Sequence, residues 1–186
     1  MPRLISDAYQ KLNYNLHKAN QDYGINQKNW GPTVVDLCRK ANAKTVLDYG
    51  CGKGNLKPKL LALAPSLNVQ EYDPAIPGKT KFPRLAEIIC CLDVMEHIEP
   101  EYLDEVLKHI ASLTIRCCLM RVSLLLAAKI LDDGRNAHLI LETPEWWTER
   151  IGKFFKIMNS MSHPKKSNPG ILDCIDLVLS PIPVSA

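Results

Sequence analysis

Along the middle of the chain, short apolar runs alternate with stretches of helical periodicity, and that alternation predicts the elements. Residues 45–49 (TVLDY) form a first strand-like run, and a helical pattern follows over about residues 55–63, where Pro58 is tolerated because it lies in the first turn. Residues 67–72 read as a second strand and residues 87–92 as a third. Pro100 then opens a helix whose Leu103, Val106, Leu107 and Ile110 fall on one face. Residues 116–126 form a fourth, buried strand. Apolar strands separated by helices predict an α/β fold, a Rossmann-like open and mostly parallel sheet with helices on both faces.

Two helical stretches precede this core, at about residues 7–16 and 32–41, the second opened by Gly31-Pro32. After the core come the polar loop KILDDGRNAHL, an apolar segment ending at Glu142, and a helix from Pro144 to about Phe155. Trp146 and Trp147 on that helix point about 100° apart, so one of them belongs to the core. The tail combines a Pro/Gly/Lys/Asn turn with one strand-like run, residues 174–179. With 186 residues, the expectation is one domain: N-terminal helices over 1–44, the core over 45–157, and an atypical C-terminal segment over 158–186.

Composition changes this picture little. Hydrophobic residues make up 46% and charged residues 23%, which excludes disordered and fibrous classes. A formal net charge of +3 does not point to nucleic acid as a partner. Four of the seven cysteines sit in adjacent pairs inside apolar runs, Cys90-Cys91 and Cys117-Cys118, where neighbours on a strand face opposite sides of a sheet. They read as small buried hydrophobes, and the absence of a Cys-x-x-Cys pair leaves no zinc signature, so no metal is expected. A reducing, cytoplasmic setting follows, with no signal-peptide core at the N-terminus and no span, since Arg121 interrupts the most apolar window.

The candidate chemistry lies between the first strand and the first core helix, in DYGCGKG, where Gly50, Gly52 and Gly54 alternate two residues after Asp48. Glycines this dense at a strand end mean that something approaches the backbone closely. A phosphate-binding P-loop is a poor fit, because the Gly78-Lys79-Thr80 triplet has Asp73 where its first glycine belongs. A Gly-x-Gly-x-x-Gly dinucleotide motif is strained, because Asn55 stands in place of its third glycine. The acid-x-Gly-x-Gly-x-Gly pattern fits without a gap, and here the chain resembles the class I S-adenosylmethionine-dependent methyltransferases.

That resemblance implies S-adenosylmethionine as cofactor. Asp48 would orient the loop and the cofactor's amino group, Gly50, Gly52 and Gly54 would let the backbone touch its methionine portion, and the following helix start would favour its carboxylate. An acid after the second strand would accept the ribose hydroxyls; Glu71 and Asp73 both qualify, and Asp73 at the strand tip is preferred. Asp93, Glu96 and His97 in CCLDVMEHIEP resemble the family's acid followed by a Glu-His pair, with Asp93 on the cofactor and the pair at the reaction site. Glu96 and His97 fit equally well as the charge and capping imidazole of a helix start. EYDPAIPGK, DVMEHIEPEYLD and DGRNAHLILETPEWW resemble a group of small bacterial and phage methyltransferases over about residues 9–157, but the tail does not.

Between Asp73 and the third strand lies a short interval containing Pro74, Pro77 and Pro83, where larger relatives insert a helix and an edge strand. The sheet is therefore expected to lack that strand-helix unit. His138, in the loop after the fourth strand, is a candidate acid–base or orienting group at the mouth of the site. No Asn/Asp-Pro-Pro-Tyr/Phe element or Pro-Cys nucleophile is present, which turns the acceptor away from nucleobases and toward a small molecule or a glycan or lipid precursor, with protein or RNA left open as the acceptor. The competing expectation is a non-catalytic module that binds S-adenosylmethionine or S-adenosylhomocysteine as a scaffold or sensor.

Overall fold

Alternation within the strands sets the architecture, which a computed structural model describes for residues 3–24 and 29–182. Strands β1 (Thr45–Tyr49), β2 (Asn68–Tyr72), β3 (Ala86–Leu92) and β4 (Thr114–Ser123) lie parallel in the order β2-β1-β3-β4. Val46, Ile88 and Cys90 face one side of the sheet, where α2 (Gly31–Lys40) and α3 (Leu56–Leu63) cover them with Val34, Val35, Leu56 and Leu60. Leu47, Ile89 and Cys91 face the other side, under α4 (Leu103–Leu113) and α5 (Pro144–Gly152), with Leu107, Ile110, Trp147 and Ile151. The cysteine pairs divide between the two faces as strand geometry requires. All seven cysteines are free.

Among the described residues no strand pairs outside β2, so the sheet ends there. The interval after β2 is too short and proline-rich for a further helix and strand.

The tail departs from its sequence pattern. The helix opened by Pro144 stops at Gly152, and Phe155 already belongs to β5 (Phe155–Lys165), which pairs antiparallel with β6 (Asn168–Pro181); β6 in turn pairs antiparallel with β4. Residue 157, expected to end the core, lies inside β5. Where the sequence shows one strand-like run, the chain builds a long hairpin that extends the sheet, and it is anchored at Phe155, Ile175, Leu177 and Leu179.

Helix α1 (Asp7–Ala19) stands apart from both layers and packs on the loop after β4 through Tyr9, Leu16, Leu131 and Ala137. Its N-terminus is fixed twice. The Ser6 hydroxyl accepts from the Tyr9 N–H at 3.1 Å and donates to Glu99 Oε1 at 2.6 Å, while the Ser6 N–H donates to Glu99 Oε2 at 2.8 Å. Replacing Ser6 with alanine should cost about 1 kcal/mol and lower the thermal midpoint by roughly 2–4 °C. Threonine should restore most of the loss, and a midpoint unchanged by alanine would mean that the cap holds nothing.

Candidate functional site

A cavity of about 440 Å³ opens at the carboxyl ends of β1 to β4, where open α/β sheets hold ligands. Asp48, Gly50 and Gly52 line it from β1, Asp73 and Ala75 from β2, Asp93, Val94 and His97 from β3, and Arg121 from β4. Helix α1 closes the opposite side with Tyr9, Asn13 and His17. These three recur at i, i+4 and i+8, a polar stripe on one helix face that the sequence displays plainly and that pattern reading for apolar positions passes over. Tyr9 donates from its hydroxyl to the His97 carbonyl, which joins the lid to the floor.

The glycine loop is held from three directions. The Gly52 N–H donates to Asp73 Oδ2 at 3.0 Å, Lys79 Nζ donates to the Gly52 carbonyl at 3.2 Å, and the Lys53 N–H donates to the Gly24 carbonyl at 3.2 Å. Lys79, from the triplet that fails as a P-loop, thus serves as a clamp on the loop. Gly54 does not line the cavity: at φ +81°, a Cβ there would collide with Glu71 Oε1 and Lys79 Nζ, so its lack of a side chain makes room for an ion pair.

The two candidate acids after β1 and β2 differ in kind. Asp73 is buried, and its two oxygens accept one backbone N–H each, from Gly52 and from Ala75 at 2.9 Å. A carboxylate has about four acceptor positions, so capacity remains for two further donors from the cavity. Glu71 instead points to Lys79 at 3.2 Å and Lys57 at 3.8 Å and does not line the cavity. Asp48 is buried, and burial, reinforced by the nearby Glu71 and Asp73 carboxylates, pushes its pKa up to about 7.

Asp93 sits in the left-handed region at φ +57°, which turns the chain sharply off β3, and its Oδ1 accepts from Arg121 Nε at 2.9 Å. Arg121 also donates to Asp176 Oδ1 at 3.0 Å, and Asp176 Oδ2 lies 2.8 Å from His163 Nε2. The hairpin is thereby linked to the cavity wall. The signal in the sequence for Arg121 is its interruption of an apolar strand, which was useful there only for excluding a membrane span.

His138 is not at the mouth. Its ring lies edge-on to His97 with centroids 4.6 Å apart and outside the cavity lining, because its Nδ1 bonds to the Leu125 carbonyl and draws it under the loop. Glu96 is fully buried in a 3₁₀ turn, Met95–His97, and does not line the cavity either; its Oε1 accepts from the Ser123 N–H at 3.0 Å. It is therefore neither a solvated charge nor a cap. Of the three expected catalytic residues only His97 reaches the cavity, and burial together with His138 pushes its pKa down to about 3.

No protein-family model and no curated protein matches the chain. Solved structures do. The Burkholderia thailandensis 1,6-didemethyltoxoflavin-N1-methyltransferase, with 1,6-didemethyltoxoflavin and S-adenosylhomocysteine bound, aligns at TM-score 0.69 and 13% identity over 98% of this chain and 93% of its own. Magnesium protoporphyrin IX methyltransferase from Synechocystis aligns at 0.59 and 16% over 97% and 100%, and an N-methyltransferase from Bradyrhizobium japonicum at 0.59 and 12% over 93% and 98%. The chain has the fold of the S-adenosylmethionine-dependent methyltransferases.

Proposed function

We propose that the protein binds S-adenosylmethionine in this cavity and transfers its methyl group to a small-molecule acceptor. The observation that carries the proposal is the Asp73 carboxylate, buried at the cavity wall with acceptor positions to spare beside a glycine loop and a second acid. Asp73 takes the ribose hydroxyls, the loop backbone lies along the methionine portion, and Asp48 faces the amino group. When bound, the cofactor supplies a methyl group on a positively charged sulfur. The chain contributes alignment and exclusion of water: α1 covers the cavity, and Val94 and Ile98 present apolar surface to it. Closure by α1 favours an acceptor small enough to be enclosed. Asp93 and Arg121, paired at the β3–β4 end, offer the polar contacts that orient it.

Calorimetric titration with S-adenosylhomocysteine tests the cofactor reading, and transfer of label from methyl-labelled cofactor into a metabolite extract tests the activity. The pH profile tests Asp48. Its raised pKa means that a proton remains on the carboxyl at pH 6, whereas a ligand ammonium favours the ionised form, so binding must expel that proton below about pH 7. Affinity should rise by up to about tenfold between pH 6 and pH 8 and level off above. Asp48→Asn should flatten the profile, and a flat profile in the unaltered protein would remove Asp48 from the amino-group contact.

A further inference from the structure

Glu96, His97 and His138 place one carboxylate oxygen and two imidazole nitrogens within 4.8 Å of one another. We propose that these residues form a binding site for a divalent transition-metal cation, with Glu96 Oε2 and Nε2 of each histidine as ligands. Three observations, independent of the cofactor reading, carry the proposal.

Glu96 Oε2 is buried and has no hydrogen-bond partner among the described residues, although the other oxygen of the same carboxylate is paired. An oxygen in that position is costly to bury unless something positive or donating meets it. The histidines supply the second observation. His97 Nδ1 lies 2.8 Å from the Ala137 carbonyl and His138 Nδ1 lies 2.5 Å from the Leu125 carbonyl. A carbonyl only accepts, so each Nδ1 carries the proton and each Nε2 keeps a free lone pair. Metal-binding histidines are oriented in this way, with one nitrogen donating to the backbone and the other presented to the ion.

The third observation is contrast with the cluster His163, Cys174 and Asp176, whose ligand atoms are equally close. There His163 Nε2 is already taken by Asp176, and Asp176 also receives Arg121, so that cluster is already hydrogen-bonded within itself. Among the described residues, no side chain is hydrogen-bonded to Glu96 Oε2 or to Nε2 of either histidine.

Bonds of about 2.1 Å put neighbouring ligands roughly 3–3.5 Å apart, so closing on an ion needs side-chain shifts of about an ångström. Two imidazoles and one carboxylate suit manganese, cobalt or zinc better than magnesium or calcium, which prefer oxygen alone. His97 reaches the cavity wall, so the remaining coordination positions are available to water or to a lone pair of the acceptor.

The test is titration of the full chain, stripped with chelator, with cobalt(II) followed by visible absorption and with manganese(II) followed by electron spin resonance. One equivalent should bind saturably. Glu96→Gln, which keeps the shape of the buried side chain, and His138→Ala should each weaken binding at least tenfold, with circular dichroism confirming that they fold. His163→Ala should leave it unchanged. Absence of saturable binding overturns the proposal, as does binding that survives both ligand substitutions or is lost in His163→Ala. S-adenosylhomocysteine is titrated into the same samples. If cobalt binds and S-adenosylhomocysteine does not, the cofactor reading fails while the cation site stands; the reverse result removes the cation site alone.

Discussion

Valine in place of Gly52 is expected to abolish measurable binding of S-adenosylhomocysteine, a loss of at least a hundredfold or about 2.7 kcal/mol. Gly52 has φ +50°, where a β-branched residue is strained, and a Cβ built there would meet the Gly24 carbonyl oxygen at 2.6 Å and its Cα at 3.1 Å. Those contacts are backbone, which cannot swing aside as a side-chain tip does. The loop retreats only by breaking hydrogen bonds, because Asp73, Lys79 and the Lys53–Gly24 bond hold it on three sides. The strain therefore appears as displacement of the loop or of the segment containing Gly24, and both line the cavity. The sequence suggests that a ligand is what approaches this glycine, whereas the first collision is with the chain itself. Circular dichroism should still report a folded protein with a lowered thermal midpoint, since the sheet lies elsewhere. A valine variant that binds within threefold of the parent would show that the loop does not hold the cofactor.

The parts of the fold that were legible in the sequence are those whose burial writes a period into it. β1, β3 and β4 are covered on both faces, so TVLDY, EIICCL and the run around CCLM read as apolar strands, and α4 presents Leu103, Val106, Leu107 and Ile110 to the sheet at helical spacing. The hairpin of β5 and β6 carries no such signal over most of its length. Residues 158–162 and 164–172 are exposed, so polar and apolar residues occur there without alternation, and only the part of β6 that pairs with β4 is buried enough to show. Edge strands are specified by pairing along the backbone, which the side-chain pattern does not record.

The site was legible to a similar extent. Asp48, Gly50, Gly52, Asp73 and Asp93 can be placed because they are short sequence distances from strand ends, and strand ends gather at one edge of a parallel sheet. The burial of Glu96 is not written in its spacing, because a carboxylate beside a helix start is usually solvated, whereas the Ser123 N–H on β4 and the turn off β3 at Asp93 draw this one inside. His138 was placed by the position of its loop, but the side chain is aimed by a bond to the Leu125 carbonyl, a contact within the loop that no spacing rule contains.

Asp73→Ala should weaken S-adenosylhomocysteine binding by about 1.5–3 kcal/mol, a factor of roughly 10 to 150, through loss of charge-assisted hydrogen bonds to the ribose. Part of that loss comes from the protein itself. The carboxylate also accepts from the Gly52 and Ala75 N–H groups, so alanine leaves two donors at the cavity edge to water and frees the loop to move. Asparagine separates the two contributions: its amide oxygen can keep one N–H bond, while its NH₂ faces the other donor, so Asp73→Asn should fall between the parent and alanine. Glu71→Ala is the comparison, because Glu71 carries the same charge two residues earlier and is spent on Lys79 and Lys57 outside the cavity. Its removal should change affinity by less than threefold, with a small loss of stability as Lys79 loses its partner. A greater loss of affinity from Glu71→Ala than from Asp73→Ala would transfer the ribose contact to Glu71, which would then have to leave both lysines and turn across Gly54 to reach the ligand.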